Sequence, residues 1–450
     1  MKYTIPLVAM ANIATVAGLT QQCTGRAVNE GGNFFCGAVE HIVYKGVGSA
    51  GSYQAVKGMT STGECQKEAK SFSGPLAPLD EGLSLHFRGP IRVKEVAVYT
   101  LSAKAKQRRQ QGEATEGPAQ GAAAAHGHQQ FHEAARKKKK RAPAEWVTAT
   151  INGQVVSWEN NWHGGNPTPA PLAAAAAAAA PTVPAAPAAP KPKAKPATSG
   201  QAWDRTSYYN AETQQAENLV FLGNHGGQGS GQFDTVWGNS LSYLNAQGTA
   251  GASSSQILAD VDIPSDKEFS IFSGEPCDES CGFSRAKDVA YKGFEGAHKV
   301  FLFKFKMPLD GNRANNNGDM PAIWSLNAHI PRSAQYNACS CWPKCGEFDF
   351  FEVLASGDTK CKSTLHLSPG GGSSDYFTRP TDAYIKGAVV FDADAGAVAI
   401  RVLPADTDFS KGLDDATVQA WLTGQSPSAG GLVGGLLSSV FELVGGRLSA

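Results

Sequence analysis

An all-β architecture follows from three features of the chain. Apolar residues come in short, strand-length runs rather than at helical spacing. Several of these runs alternate strictly with polar residues. The 50 glycines and 25 prolines of the 450 residues punctuate them as turns. The expected fold is a C-terminal β-sandwich (jelly roll) that carries the chemistry, with a smaller β-rich N-terminal domain and disordered linkers. The length suggests more than one domain.

The chain opens on one lysine, an apolar stretch too short to cross a bilayer, and the small residues Val16-Ala17-Gly18. Residues 1–19 therefore read as a secretory signal, with a buried N-terminal strand as the alternative. Residues 20–103, joined by 145–162, form the N-terminal β-rich domain. In it Leu83-Ser84-Leu85-His86-Phe87-Arg88 and Ile91 to Tyr99 alternate as half-buried strands around the turn Gly89-Pro90. No catalytic constellation is visible there, and a carbohydrate-binding module is the expectation. Residues 104–144 are a basic low-complexity insertion ending in Arg136-Lys137-Lys138-Lys139-Lys140-Arg141. Such a run reads as solvated and disordered. Its dibasic Lys140-Arg141 is a candidate for cleavage by secretory proteases.

The island Trp146 to Trp162 places alternating residues on either side of Asn152-Gly153, a hairpin signal. It is expected to close the N-terminal sheet. Residues 163–200, rich in proline and alanine, read as an extended linker. Residues 201–425 form the larger domain. Its strand candidates are Asn218 to Leu222, Phe269 to Phe272, Val300 to Met307, Ala322 to Leu326, Glu347 to Leu354, Ser363 to Leu367, Ala388 to Phe391 and Val398 to Leu403. Only Leu413 to Leu422 reads as a helix, with Asp414 and Asp415 near its start and Gly424 past its end. Gly370-Gly371-Gly372 reads as a flexible loop, and residues 426–450 as a mildly apolar tail broken by Glu442 and Arg447.

Forty basic and forty acidic residues give a formal net charge of zero, so no global field draws the chain to nucleic acid or to an anionic membrane. No later stretch has the length for stable membrane insertion. Nine cysteines fit an oxidising, secreted setting. The six C-terminal ones, Cys277, Cys281, Cys339, Cys341, Cys345 and Cys361, are expected to pair among themselves as disulfides. The spacing Cys339-x-Cys341-x3-Cys345 lacks the paired C-x-x-C of zinc ribbons, so no metal site is expected. Nor does any motif call for a cofactor.

The chemistry concentrates in Glu347-Phe348-Asp349-Phe350-Phe351-Glu352. Acids are poor strand formers, and like charges on one face repel. Alternation puts Glu347 and Asp349 on one face and Glu352 on the other. A β-bulge at Phe350 or Phe351 would restore Glu352 to the same row. Glu347 and Glu352 then form a carboxylate pair of the kind that runs retaining glycoside hydrolysis, with Asp349 between them as orienting partner. The alternative is a solvent-facing strand whose acids are simply hydrated. Trp324, Trp342 and Tyr376 nearby offer aromatic faces for sugar rings, or core packing. His366 is a candidate hydrogen-bond donor to the site, or a structural histidine.

Two resemblances sharpen this. Gly346 to Glu352, preceded by Met320-Pro321-Ala322-Ile323-Trp324, resembles the active-site and tryptophan strands of the laminarinase-like β-glucanases, which are jelly rolls with a bulged E-x-D-x-x-E. Ser49 to Tyr53, Ser73 to Asp80 and Leu83 to Pro90 are similar to the N-terminal domain of the fungal Tos-type cell-wall family. Trp237 to Tyr243, Gly296 to Lys299 and Cys339 to Glu352 are similar to its C-terminal domain. The resemblance omits residues 104–200. It implies Glu347 as nucleophile, Asp349 as assistant and Glu352 as acid/base; Trp324, Trp342 and His366, from the residues themselves, are the substrate-binding candidates. It also implies a secreted cell-wall glycosidase or transglycosylase acting on β-1,3-glucan. A non-catalytic glucan-binding or structural wall protein is the alternative.

Overall fold

The computed structural model describes residues 26–115, 146–151, 154–159, 202–313, 317–367, 370–409, 412–425 and 438–443. Its longer strands, in chain order, are β1 (His41–Lys45), β2 (Gly51–Met59), β3 (Cys65–Phe72), β4 (Leu83–Arg88), β5 (Arg92–Leu101), β6 (Trp203–Asn210), β7 (Leu219–Gly223), β8 (Glu268–Ser273), β9 (His298–Lys306), β10 (Ala322–Asn327), β11 (Glu347–Val353), β12 (Lys360–His366), β13 (Ile385–Asp392), β14 (Ala397–Leu403) and β15 (Ser438–Glu442). One sheet of nine strands contains the order β6-β5-β9-β13-β14-β1-β15. A second sheet of ten strands is centred on β7-β8-β4-β10-β11-β12, with short strands at both edges. The two pack face to face, giving the expected all-β sandwich.

Side-chain alternation builds the layer between them. Leu83, Leu85 and Phe87 of β4 point into the shared core with Ile323, Phe348, Phe301, Phe303 and Phe305, while Ser84, His86 and Arg88 face outward. Phe87 stacks on Phe269 with ring centroids 4.7 Å apart. Each such fully buried aromatic contributes about 1.5–3 kcal/mol. Strand β9 reads as a nearly unbroken apolar run because both its faces are covered. Val300 and Leu302 meet a second core beneath α1 (Ala103–Thr115) and α2 (Asp415–Thr423), with Trp203, Val418 and Trp421.

The N-terminal segment joins this sandwich at its centre. Strand β4 lies between β8 and β10 in one sheet, and β5 between β6 and β9 in the other. Leu101 pairs with Trp203 across β5 and β6, and Ser102 N donates to Ala202 O at 2.8 Å. The chain therefore leaves and re-enters the sheet at adjacent strand ends, and the long intervening sequence interrupts no pairing.

Several local expectations are corrected. Trp146–Ile151 and Gln154–Glu159 do pair antiparallel, but among the described residues they pair with neither large sheet. The basic segment begins as helix α1, and its Arg109 is ion-paired rather than solvated. Part of the presumed tail, β15, pairs in parallel with β1 and buries Phe441 and Leu443. Gly371–Gly372 is an edge strand on β12 rather than a free loop. Polar β6 was not anticipated. Helix α2 is as expected: Asp414 Oδ1 accepts from Thr417 N at 2.8 Å, and Gly424 ends it at φ 76°. The signal segment 1–19, Lys140-Arg141 and the linker 163–200 lie outside the described residues.

The cysteines do not pair only within the C-terminal set. Cys277–Cys281 and Cys341–Cys345 close short loops, but Cys339 bonds Cys65, 274 residues away. The hairpin β2–β3 lies against the Cys339 loop, in a cluster with Val56 and Ala334, which brings the two thiols together. Cys36 is also disulfide-bonded. Cys361 is a free thiol, contrary to expectation: it points from β12 into the inter-sheet core, with Met307 Sδ 3.9 Å away. Among the described residues no helix is long and apolar enough to cross a membrane.

Candidate active site

Strand β11 is preceded by Gly346, which has φ 107° and where a Cβ would stand 2.8 Å from Leu79 Cδ2. Only glycine admits that bend. Opposite β10, Ile323 pairs with Phe351 and Trp324 with Asp349, so Phe350 is the extra residue of a β-bulge. Phe348, Phe350 and Phe351 all enter the inter-sheet core. Glu347, Asp349 and Glu352 are thereby left in one row on the outer face, as the bulge required. Register extends the row across the sheet. Glu347 pairs with His366, Asp349 with Thr364 and Trp324, and Glu352 with Lys362 and Ala322. Trp324 and Ala322 in turn pair with His86 and Arg88 of β4.

Each acid has a distinct partner. Glu347 accepts from Tyr336 OH at 3.1 Å and from Trp342 Nε1. Tyr336 OH accepts in turn from Trp324 Nε1 at 3.0 Å. Asp349 Oδ2 lies 3.0 Å from His366 Nε2. Glu352 Oε1 accepts from an Arg88 guanidinium nitrogen at 3.2 Å. The His86 ring stacks on Trp324, centroids 5.3 Å apart. Trp324, Trp342 and His366 are thus all brought to the acids. Tyr376 is not among these contacts; it packs edge-on against Phe35.

Burial, and then the charge of Asp349, push the Glu347 carboxyl up to about 8 and that of Glu352 up to about 7. Burial lowers His366, but the Asp349 hydrogen bond and the surrounding carboxylate charges outweigh it and raise the ring to about 10. Burial alone takes His86 down to about 3, so that imidazole is neutral. Glu347 and Glu352 are therefore both poised near neutrality, where one can keep its proton while the other ionises. Such a pair can supply a carboxylate and a carboxylic acid at once.

The loop carrying Tyr336 and Trp342 is anchored by Cys65–Cys339 and Cys341–Cys345. Lys67 Nζ on β3 donates to Ala338 O at 2.8 Å and Ser340 O at 2.9 Å in the same loop. A cleft of about 340 Å³ shares Arg88 with the site and runs along Asn224, His225, Lys267, Glu268 and Asn317, without touching the three acids.

Arg88, His86 and Tyr336 escaped the sequence reading. Alternation in Leu83–Arg88 already put Ser84, His86 and Arg88 on one face, but nothing local said that this face adjoins the acids. Tyr336, in an irregular loop, carried no signal. The N-terminal segment, expected to lack catalytic residues, supplies the guanidinium that contacts Glu352.

Two family models match the chain: that of the C-terminal part of cell wall protein YJL171C/Tos1 over residues 201–421, and that of its N-terminal part over residues 40–101. A Candida albicans protein named probable circularly permuted 1,3-beta-glucanase TOS1 is 37% identical over 467 residues, covering 91% of this chain and 96% of its own. An Arthroderma benhamiae protein named probable circularly permuted 1,3-beta-glucanase is 39% identical over 401 residues, covering 84% and 88%. The Saccharomyces cerevisiae protein named probable circularly permuted 1,3-beta-glucanase TOS1 is 37% identical over 435 residues, covering 89% and 93%. No solved structure matches. With both family regions present and relatives aligned over nearly their full length, the chain belongs to the Tos1 family of cell wall proteins.

Proposed function

We propose that this chain is a secreted, retaining glycoside hydrolase or transglycosylase acting on β-1,3-glucan of the fungal cell wall. The observation that carries the reading is the bulged row on β11, which sets Glu347 and Glu352 on one outer face with Asp349 between them. The names of the relatives supply the substrate. In the first step the Glu347 carboxylate attacks the anomeric carbon while the Glu352 carboxylic acid protonates the departing glycosidic oxygen. In the second, the Glu352 carboxylate takes a proton from water or from a sugar hydroxyl. That oxygen bonds to the anomeric carbon and Glu347 leaves as a carboxylate, so the product keeps the original anomeric configuration. Asp349, paired with His366, holds charge beside both reacting acids and favours the protonated form of each, Glu347 more than Glu352 in the free site, so the reaction needs the proton on Glu352 once the sugar is bound. Half-buried Trp342 offers its ring to the sugar, while Trp324, buried and stacked on His86, backs the acids; their indole N–H groups are committed to Glu347 and Tyr336 respectively.

Incubating the purified protein with laminarin-type oligosaccharides tests this reading. Shortened or transferred products are expected from the wild type and none from Glu347→Gln, with glucan binding retained. A wild type that binds glucan but neither cleaves nor transfers it would leave a non-catalytic wall-binding protein instead.

A further inference from the structure

We propose that Arg88, brought in by the N-terminal segment, is a positioning residue for Glu352: its guanidinium holds that carboxylate in the reacting row, so the C-terminal region without β4 is an incomplete site. The inference rests on Glu352 being the proton donor of the proposed reaction.

Glu352 follows the bulge, so strict strand alternation no longer dictates its direction. It lies in the same row as Glu347 and Asp349, and the charge of Asp349 repels its ionised form. Glu268 of β8, paired with Arg88, adds a further acid on the far side. On β12, Lys362 stands opposite Glu352, but its amine is turned to Phe34 O at 2.9 Å. His366 lies farther along β12, bonded to Asp349. Cys361, also on β12, is turned into the core, and β10 offers only Ala322. The one cation in hydrogen-bond contact with Glu352 among the described residues is therefore Arg88.

Its geometry is that of a fixed fork. Nε donates to Met320 O at 2.8 Å, one terminal nitrogen reaches Glu352 at 3.2 Å, and the other lies 3.8 Å from Glu268. The guanidinium carbon sits 5.8 Å from the centre of the Trp324 ring, and the side chain is 13% exposed. A lysine offers no such fork: it can supply the charge but not all the contacts together. Arg88 thus opposes the upward push of burial and of Asp349 on Glu352, and it fixes where the carboxyl group points.

The test reads Glu352 directly. In protein labelled with 13C at the glutamate carboxyl, the Glu352 signal is the one lost in Glu352→Gln. Its titration midpoint is expected to rise by about one pH unit or more in Arg88→Gln, because a contacting opposite charge is removed. In Arg88→Lys, which preserves the charge and guards against a misfolded glutamine variant, the midpoint is expected near that of the wild type. Its kcat on laminarin-type oligosaccharides should nevertheless fall about tenfold or more, with KM little changed. An unmoved midpoint in folded Arg88→Gln overturns the proposal, as does full activity in Arg88→Lys. A shifted midpoint in a protein whose wild type turns over no glucan would keep the Arg88–Glu352 pairing and remove the glucanase reading instead.

Discussion

Two clusters of carboxylates occupy the outer faces of the two sheets, and they are opposites electrostatically. On the nine-stranded sheet, Asp392 is 1% exposed and meets Arg109, which also binds Asp394 at 2.7 Å and Asp415 at 2.6 Å. Burial pushes Asp392 up, but a hydrogen bond from Gln419 and the charge of Arg109 outweigh it and hold the group below its usual range. On the ten-stranded sheet, Glu347 and Glu352 are driven upward, and Arg88 and His366 offset this only in part. The first cluster is neutralised by a guanidinium from α1 and ties that helix to the sandwich. The second is left under-compensated. His298, Asp392 and Asp394 come close enough together to hold a cation, yet the Arg109 guanidinium already contacts both aspartates. Clustered acids alone therefore do not mark chemistry; the direction in which their proton affinity moves does.

The contrast breaks most sharply by substitution. Glu347→Gln and Glu352→Gln should each lower kcat by about 10² to 10⁴-fold or more, with thermal stability near neutral pH unchanged or higher, since a buried acid is removed. Assays on glucan oligosaccharides and thermal melts check this together. Arg109→Ala should do the reverse. Activity is retained, while stability falls by about 1–3 kcal/mol, because Asp392 loses its cation and the partly exposed partners are screened by solvent. Denaturant unfolding would measure it. Tyr336→Phe removes the hydroxyl that donates to the Glu347 carboxylate and accepts from Trp324 Nε1, and should cost about 1.5–2 kcal/mol in kcat/KM, roughly ten- to thirtyfold, read from kinetics on glucan oligosaccharides.

The smallest effect is a slope, and its sign separates the clusters. For Glu347, Glu352 and His366 the folded protein binds protons that the unfolded chain has released. Stability should therefore fall as pH rises from about 5 to about 8 for the two glutamates, and from about 6.5 on to about 10 for His366. Asp392 is depressed, so its contribution is present above the ordinary aspartate range and is lost as pH falls through it. Melting temperature against pH should flatten between 5 and 8 in Glu347→Gln, and lose part of its acid-side fall in Arg109→Ala.

Much of this was legible in the sequence because it is local. The bulge followed from the need to bring Glu352 back into line with Glu347 and Asp349 while three phenylalanines stayed buried. The α2 boundaries followed from Asp414 and Gly424. What was not legible depends on partners distant in sequence. Nothing in Leu83–Arg88 says that it pairs with Ala322–Asn327, more than two hundred residues on, and this placement delivers Arg88 and His86 to the site. Cys65 and Cys339 meet for the same reason, and no spacing rule could have matched them. Helix α1 was hidden because its sequence has little apolar surface; Ala105 and the Arg109 ion pairs hold it down. Strand β15 looked like a tail because its burial depends on β1.

Trapping the covalent intermediate tests the assignment of the acidic row most directly. A 2-deoxy-2-fluoro glucosyl fluoride extended by β-1,3-linked glucose should inactivate the wild type, and peptide mass spectrometry should place the added sugar on Glu347. Labelling at Glu352 or elsewhere, or sustained glucan turnover with no trapped glycosyl group at Glu347, would contradict it.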